Sequence, residues 1–199
     1  MVQAAVDPTE ADLLASAQGG NLFAFEEVVR RYQRRVYSTA LRIVRRHDLA
    51  DDVTQEAFLR AHRALGTYDR ARPFGPWICR IAANLAINHV RSPDAREEEL
   101  DEATLQARPS PAGDGPLGTL LEKEARDVLE AAIGRLPAEQ RAVFVLRTFD
   151  DLSYKEIAEA LDLEIGTVMS RLSRARERLR TALAGYLGPA RGRAGSAAR

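Results

Sequence analysis

Hydrogen-bonding and charged side chains recur at helical spacing near the end of the chain. Ser170, Arg171 and Arg174 project about one turn apart, on the face opposite Val168 and Leu172. A hydroxyl and two guanidinium groups can donate hydrogen bonds to phosphates and to base edges. An arginine that binds guanine through two hydrogen bonds contributes about 1–3 kcal/mol of discrimination against the wrong base. The chemistry predicted for this stretch is therefore nucleic-acid recognition.

The sequence contains no comparable set of residues for covalent chemistry. His47, His62, His89 and Cys79 do not lie at the spacing of metal ligands. The sequence also contains neither a glycine-rich phosphate-binding loop nor a nucleophile elbow. We therefore expect a protein that is not an enzyme, with no catalytic residue, metal, cofactor or small-molecule substrate.

The arginine-bearing stretch belongs to a predicted pair of helices, Ser153 to Leu183. Ser153 and Glu156 have the spacing of a capping box, which marks a helix start. The apolar pattern breaks at 162–164 and resumes at Val168 in steps of three and four residues. Two helices joined by so short a turn indicate a helix-turn-helix, whose second helix enters the major groove of DNA.

The formal charge of zero conceals a segregation of charge along the chain. Residues 19–92 carry 13 basic and 7 acidic side chains, and residues 165–199 carry 8 basic and 1 acidic. The remaining segments, 1–18, 93–118 and 119–164, each carry more acidic than basic residues. Two basic blocks separated by acidic ones indicate two surfaces that contact a polyanion, although solvated helix faces would give the same pattern.

Composition predicts an all-α protein of two small helical domains. Valine and isoleucine lie at helical rather than alternating spacing, no apolar run could span a membrane, and the acidic start is unlike a signal peptide. The single Cys79 fits a reducing compartment, so we expect a cytoplasmic protein without membrane insertion. Prolines, glycines and acidic residues make 93–118 a predicted flexible acidic linker, so that the two domains would sample many relative arrangements. The predicted order is an acidic segment at 1–18, a domain at 19–92, the linker, a domain at 119–187 and a basic tail at 188–199.

Within the first domain, Asp48 is predicted to cap a helix that ends at Gly66. Two prolines and a glycine between Tyr68 and Trp77 predict a loop that displays three aromatic rings and two arginines. A helix from Trp77 to Val90 would follow the loop.

Three stretches together resemble a bacterial RNA polymerase sigma factor of the extracytoplasmic-function group of the sigma-70 family. They are DLADDVTQEAFLRAHRAL at 48–65, WICRIAANLAINHVR at 77–91 and LSYKEIAEALDLEIGTVMSRLSRARERLR at 152–180, in the order found in that family. The resemblance implies that domain 19–92 is sigma region 2, which docks on core polymerase and recognises and melts the promoter −10 element. It implies that domain 119–187 is sigma region 4, which recognises the −35 element. The implied partners are core RNA polymerase, promoter DNA and an anti-sigma factor.

The resemblance also implies site residues. The polymerase-docking positions are Asp51, Asp52, Gln55, Glu56, Phe58 and Leu59. The positions for −10 recognition and melting are Tyr68, Arg70, Arg72, Phe74, Trp77, Asn84, Asn88 and Arg91; aromatic rings can stack on bases that leave the duplex, although Phe74 and Trp77 could instead fill the core. The −35 positions are Gly166, Thr167, Ser170, Arg171, Arg174 and Arg178.

Two other classes of protein remain open. An autonomous helix-turn-helix regulator would bind operator DNA without polymerase, but it gives the aromatic loop and the acidic helix face no function. A nucleic-acid enzyme such as a recombinase would need a nucleophile or clustered metal-binding carboxylates, and neither can be nominated. Binding to core polymerase and promoter-dependent initiation distinguish these alternatives.

Overall fold

A computed structural model describes residues 8–92 and 118–187, which form eight α-helices and no strand. The helices are α1 (Glu10–Gln18), α2 (Leu22–Val44), α3 (His47–Ala64), α4 (Phe74–Arg91), α5 (Gly118–Gly134), α6 (Ala138–Thr148), α7 (Tyr154–Leu161) and α8 (Ile165–Leu187). A 3-10 turn, Leu65–Thr67, follows α3. The prediction of an all-α fold with two helical units is confirmed. Residues 1–7, most of the predicted linker at 93–118 and the tail at 188–199 lie outside the described residues.

Two helix starts in the first unit differ from those predicted. Asp48 does not cap α3: the N-cap residue is Arg46, and Asp48 lies in the first turn. Its carboxylate accepts a hydrogen bond of 2.5 Å from the Arg46 guanidinium, which lowers the pKa of Asp48 to about 2. Helix α4 begins at Phe74 rather than Trp77. Pro76 lies in its first turn, where backbone N–H groups have no partner within the helix, so proline is tolerated there.

Helices α1 to α4 enclose the first core. The apolar stripe of α2 buries Val28, Val36, Ala40 and Ile43 almost completely, and α3 and α4 close over it. Asn21 caps α2 by accepting a hydrogen bond from the Ala24 N–H. Burial of these aliphatic side chains is the main stabilising term, at about 25 cal/mol per Å² of apolar surface removed from water.

The second unit contains the predicted helix-turn-helix. The Ser153 hydroxyl accepts a hydrogen bond from the Glu156 N–H, and the Glu156 carboxylate accepts one from the Ser153 N–H, which completes the capping box. Helix α7 ends at Leu161, and its C-cap residue Asp162 has a left-handed backbone with φ 51°. Helix α8 then begins at Ile165 and buries Val168, Leu172, Ala175 and Leu179 against the other helices of the unit. The turn therefore fixes the register in which α8 presents its opposite face to solvent.

The two units pack against each other, in contrast to the loosely tethered arrangement expected from the sequence. Helices α2 and α4 contact α6, α4 also contacts α7, and α2 contacts α5. Two arginines of α2, Arg35 and Arg42, lie in this contact. Arg42 forms a 2.8 Å ion pair with Glu130 and stacks over the Phe149 ring at 3.9 Å, which is a cation–π contact.

Two buried charged groups join the units. Arg141 is only 4% exposed, and its guanidinium donates to the carbonyl of Ile43 across the interface at 2.6 and 3.0 Å. The same guanidinium donates at 3.0 Å to the carbonyls of Gly134 and Leu136 in its own unit. Asp150, 1% exposed, accepts hydrogen bonds from the Thr39 hydroxyl at 2.9 Å and from Arg35 Nε at 3.2 Å. Because buried charges are costly unless they are bonded, these partners tie the relative placement of the units to specific atoms.

None of the described helices combines the length and the apolar character needed to cross a bilayer.

Candidate nucleic-acid and protein interfaces

The outer face of α8 presents the hydrogen-bonding side chains predicted from the sequence. Ser170, Arg174 and Arg178 are exposed, while the neighbouring apolar side chains point into the core. The Ser170 hydroxyl donates to the Thr167 carbonyl at 3.0 Å and keeps its acceptor lone pairs available. The arrangement gives one helix face with two exposed guanidinium groups separated by about one turn.

A cleft of about 390 Å³ lies between the start of α8 and the start of α6. Its walls are Pro137 to Gln140 on one side and Thr167, Ser170, Arg171 and Arg174 on the other. A Cβ added at Gly166 would meet no atom within 4 Å, so nothing in the fold of this chain demands glycine there. A small residue at an exposed helix start is consistent with close approach by a nucleic-acid backbone, the role expected for Gly166 and Thr167.

Arg171 differs from the other predicted DNA contacts of α8. Its side chain is 18% exposed and forms a 2.5 Å ion pair with Glu139 Oε2, at the start of α6. The other oxygen of the same carboxylate accepts a 3.1 Å hydrogen bond from Arg91 Nη2, at the end of α4. One acidic side chain therefore binds a predicted −35 contact and a predicted −10 contact at the same time. Glu139 was not among the site residues predicted from the sequence.

Two amides lie on the exposed face of α4. Asn84 and Asn88 are both exposed, one helical turn apart, whereas Leu85, Ala86 and Ile87 between them are buried. An amide group can both donate and accept a hydrogen bond, which suits the edge of an unpaired base. Together with Arg91 they form an exposed stripe along the last two turns of α4.

The aromatic residues between positions 68 and 77 are not displayed on a loop, as the sequence had predicted. Tyr68 is 6% exposed, Phe74 is fully buried and Trp77 is half-buried. Phe74 packs edge-on against Tyr32 with ring centroids 5.0 Å apart, and Tyr68 lies 4.7 Å from Trp77. The prediction of three exposed rings was wrong because the helix begins three residues early and turns Phe74 inward.

The arginines of this segment do face solvent. Arg70 and Arg72 are exposed. The loop that carries them is held in place by hydrogen bonds to its backbone carbonyls. Gln18, from α1, donates at 2.9 and 2.8 Å to the carbonyls of Leu65 and Tyr68. The Tyr68 hydroxyl donates to the Arg72 carbonyl, and burial raises the pKa of Tyr68, so the hydroxyl stays protonated as a donor. The contribution of Gln18 was missed because its partners lie about fifty residues away.

The outward face of α3 is acidic and partly apolar. Asp51, Asp52 and Gln55 are exposed, and Leu59 is 47% exposed beside them. Glu56 is half-buried and accepts a 2.7 Å hydrogen bond from Arg60, which lowers its pKa. Phe58 is buried in the core at 7% exposure, so it does not lie on the exposed face with the other predicted docking positions. Helical geometry places residue 58 beside Ala57 and Ala61, on the inward side.

Comparison with known proteins assigns both units. The model of sigma-70 region 2 matches residues 28–96, and the model of sigma-70 region 4 matches residues 126–179. The ECF RNA polymerase sigma-E factor of Escherichia coli K12 is 37% identical over 175 residues, which cover 85% of this chain and 91% of that protein.

Two solved structures share the fold. CnrH, determined in complex with the cytosolic domain of CnrY, aligns with a TM-score of 0.58 and 28% identity over 87% of this chain and 96% of CnrH. The sigma factor RpoE of Bartonella quintana, determined with the anti-sigma factor NepR, aligns with a TM-score of 0.60 and 24% identity over 80% of this chain and 96% of that one.

Proposed function

Because this chain belongs to the extracytoplasmic-function sigma factors of the sigma-70 family, we propose that it binds core RNA polymerase and directs it to a set of promoters. The observation that carries this proposal is the order of the two matched regions along one chain, the second of which exposes Ser170, Arg174 and Arg178 on a helix-turn-helix. The role requires no covalent chemistry from the chain itself. It places the protein in the cytoplasm, where polymerase and promoter DNA are found.

We assign polymerase docking to the exposed face of α3. Acidic and amide side chains beside the exposed Leu59 suit a partner surface that is basic and partly apolar. Truncation of Leu59 to alanine should weaken core binding several-fold, because this side chain is the large apolar group that the face exposes. Arg63→Ala is the matched control, since Arg63 is exposed one turn further along the same helix.

We assign −10 recognition to Asn84, Asn88 and Arg91, with Arg70 and Arg72 as phosphate contacts. Among the aromatic residues, the half-buried Trp77 has ring surface that a base could reach, whereas Phe74 supports the loop from inside the core. We assign −35 recognition to the face of α8, with Gly166 and Thr167 allowing the DNA backbone to approach the helix start.

The experiment that tests the function is transcription from fragmented genomic DNA by core polymerase with and without this protein. We expect a defined set of start sites to appear only when the protein is present. Arg174→Ala should reduce initiation at those sites by at least about 10-fold, which matches the loss of one arginine–guanine pair. Arg180→Ala, on the same helix but paired with Glu177, should reduce it much less. Sequence-specific DNA binding without core polymerase, and no new start sites with it, would favour the autonomous regulator.

A regulatory partner is part of the proposal. The similar protein CnrH was solved in complex with the cytosolic domain of CnrY. We infer that this chain is likewise held by an anti-sigma partner, which must cover faces that polymerase or DNA would otherwise contact. Co-purification from cells, followed by release of initiation activity when the partner is removed, tests this inference.

A further inference from the structure

The exposed side of α8 carries two large apolar side chains beside its hydrogen-bonding groups. Ile165 is 47% exposed and Met169 is 53% exposed. They are four residues apart, so they form a short apolar row along the start of the helix. In a helix-turn-helix, the first residues of the second helix are those that meet base edges in the major groove. Neither side chain has a hydrogen-bond donor for a phosphate or a base.

The apolar row and the predicted arginine contacts lie on opposite flanks of Ser170. Because a helix turns by about 100° per residue, Met169 lies about 100° to one side of Ser170 and Arg174 about 40° to the other. Arg171 and Arg178 continue the second flank. A helix is about 10–12 Å wide with its side chains, and the major groove is about 12 Å wide. A helix that enters the groove with Ser170 foremost therefore brings both flanks close to the bases.

Thymine is the base whose major-groove edge carries a methyl group. Guanine presents two acceptors there, adenine an acceptor and a donor, and cytosine a donor. A thioether side chain that covers these polar groups removes their water without replacing the hydrogen bonds, which is unfavourable. Covering the C5-methyl group of thymine is favourable, because apolar surface is removed from water on both sides. An exposed methionine in this position therefore favours thymine and disfavours a G·C pair.

We propose that Met169 is a specificity-determining residue of the −35 contact and recognises the C5-methyl group of one thymine. This inference rests on the function proposed above and adds a base identity to the assignment of α8. Ser170 and Arg174 supply hydrogen bonds to the same element, and Met169 supplies an apolar contact. The methionine side chain is unbranched and flexible, so it can adjust to the position of the methyl group.

The size of the expected preference follows from the burial of one methyl group. That burial corresponds to about a 4-fold change in affinity. An effect of this size is smaller than that of an arginine–guanine pair, so it is measured by comparison of otherwise identical promoters.

The first test measures base preference during transcription. Core polymerase with the full chain would transcribe a pool of promoters, taken from the start sites mapped on genomic DNA, whose −35 element is randomised. Wild type should favour thymine at one position by about 4-fold, and Met169→Ala should lose that preference alone. Met169→Leu keeps an apolar side chain of similar size and should retain most of the preference. Phe23→Ala is the matched control, because Phe23 is 85% exposed on α2, outside the predicted DNA contacts.

Two results of this test would overturn the proposal. One is a base preference that is the same for wild type and Met169→Ala. The other is a loss of initiation in Met169→Ala that is equal for all −35 sequences, which would assign the side chain to a contact with protein instead.

The second test removes a single methyl group from the DNA. Deoxyuridine in place of thymidine at the preferred position removes the C5-methyl group and keeps the hydrogen-bonding groups of the base pair. Wild-type initiation should fall about 4-fold, whereas Met169→Ala should respond by less than about 1.5-fold. Deoxyuridine at other thymidines of the element is the control. Equal responses of wild type and Met169→Ala would mean that the methyl group acts without Met169, and the proposal would be wrong.

The two proposals can fail separately. If the chain supports promoter-dependent initiation without a thymine preference that depends on Met169, the function stands and the role of Met169 is wrong. If the chain never acts with core polymerase, the proposed function fails. Randomised duplexes selected by the chain alone then allow the same comparison of thymidine with deoxyuridine. A chain that selects no sequence in either form would refute both proposals.

Discussion

Replacement of Arg141 by methionine should destabilise the whole chain, because this guanidinium is bonded on both sides of the contact between the units. Its nitrogens donate to three backbone carbonyls, those of Ile43, Gly134 and Leu136. Methionine has a similar length and is apolar, so the variant removes the donors without opening a large cavity. The three carbonyls would then be left without the hydrogen bonds that Arg141 supplies in a buried site.

The expected magnitude follows from two of these acceptors, the carbonyls of Ile43 and Leu136, because the Gly134 carbonyl also accepts a 2.6 Å hydrogen bond from Arg45 Nη1. A buried polar group that loses its partner costs about 1–3 kcal/mol, so the gross cost is roughly 2–6 kcal/mol. Relief from burying a guanidinium charge and the burial of additional apolar surface offset part of this cost. We expect a net decrease of about 2–3 kcal/mol in the free energy of unfolding, a large fraction of the total for a protein of this kind.

Urea unfolding followed by circular dichroism measures this decrease. Wild type should unfold in one transition whose slope reflects the surface of both units, since the units share buried contacts. Arg141→Met should unfold at a lower urea concentration, and Arg141→Lys should fall between them because one ammonium cannot bond all three carbonyls in their fixed positions. The exposed Arg135→Met is the control. A free energy of unfolding for Arg141→Met within about 1 kcal/mol of wild type would refute this account of the interface.

Two further predictions follow from groups whose pKa is shifted. Burial, with the nearby Asp150 carboxylate, raises the pKa of the Cys79 thiol to about 12, so Cys79 should react with a thiol reagent at pH 8 far more slowly than a free cysteine; rapid modification of the folded protein would contradict this. Hydrogen bonds from Ser153 lower the pKa of Glu156, so its contribution to stability is present above the unfolded-state pKa near 4.5 and is lost as the pH falls. Glu156→Gln should therefore be less stable than wild type at pH 7, by about 1 kcal/mol as for other helix caps. In unfolding experiments at lower pH, this difference in stability should shrink towards pH 3. A difference that stays constant with pH would mean that ionisation of Glu156 does not contribute.

Local signals were sufficient where structure depends on near neighbours. The spacing of Val168, Leu172 and Leu179 and the pair Ser153 and Glu156 specified the helix-turn-helix, because capping and helical periodicity act within a few residues. The same kind of signal misplaced the start of α4. Proline was interpreted as a helix breaker, but at Pro76 its missing N–H lies in a first turn, where that group would have no helical partner.

Long-range partners account for the remaining differences. Nothing near Arg141 or Asp150 in the sequence distinguishes them from solvated charges, since their partners, Ile43 and Thr39, are about a hundred residues away. Likewise, the burial of Phe58 and Phe74 depends on how α2 packs against α3 and α4. Which hydrogen-bonding or apolar side chain is exposed is a property of the packed helices, and the sequence pattern of one helix does not contain it.

The segregation of charge along the sequence therefore has two structural uses in one chain. Arginines on α4 and α8 that face solvent, such as Arg174, keep their charge available to a polyanion. By contrast, Arg35 and Arg42 of α2 form ion pairs with acidic residues of the second unit. The acidic excess of residues 119–164 supplies the partners of these two arginines, Asp150 and Glu130. The acidic stretch 119–164 therefore attracts the basic first unit, while the exposed arginines of α8 attract a polyanion. Because both attractions are electrostatic and only partly buried, raising the salt concentration weakens both together.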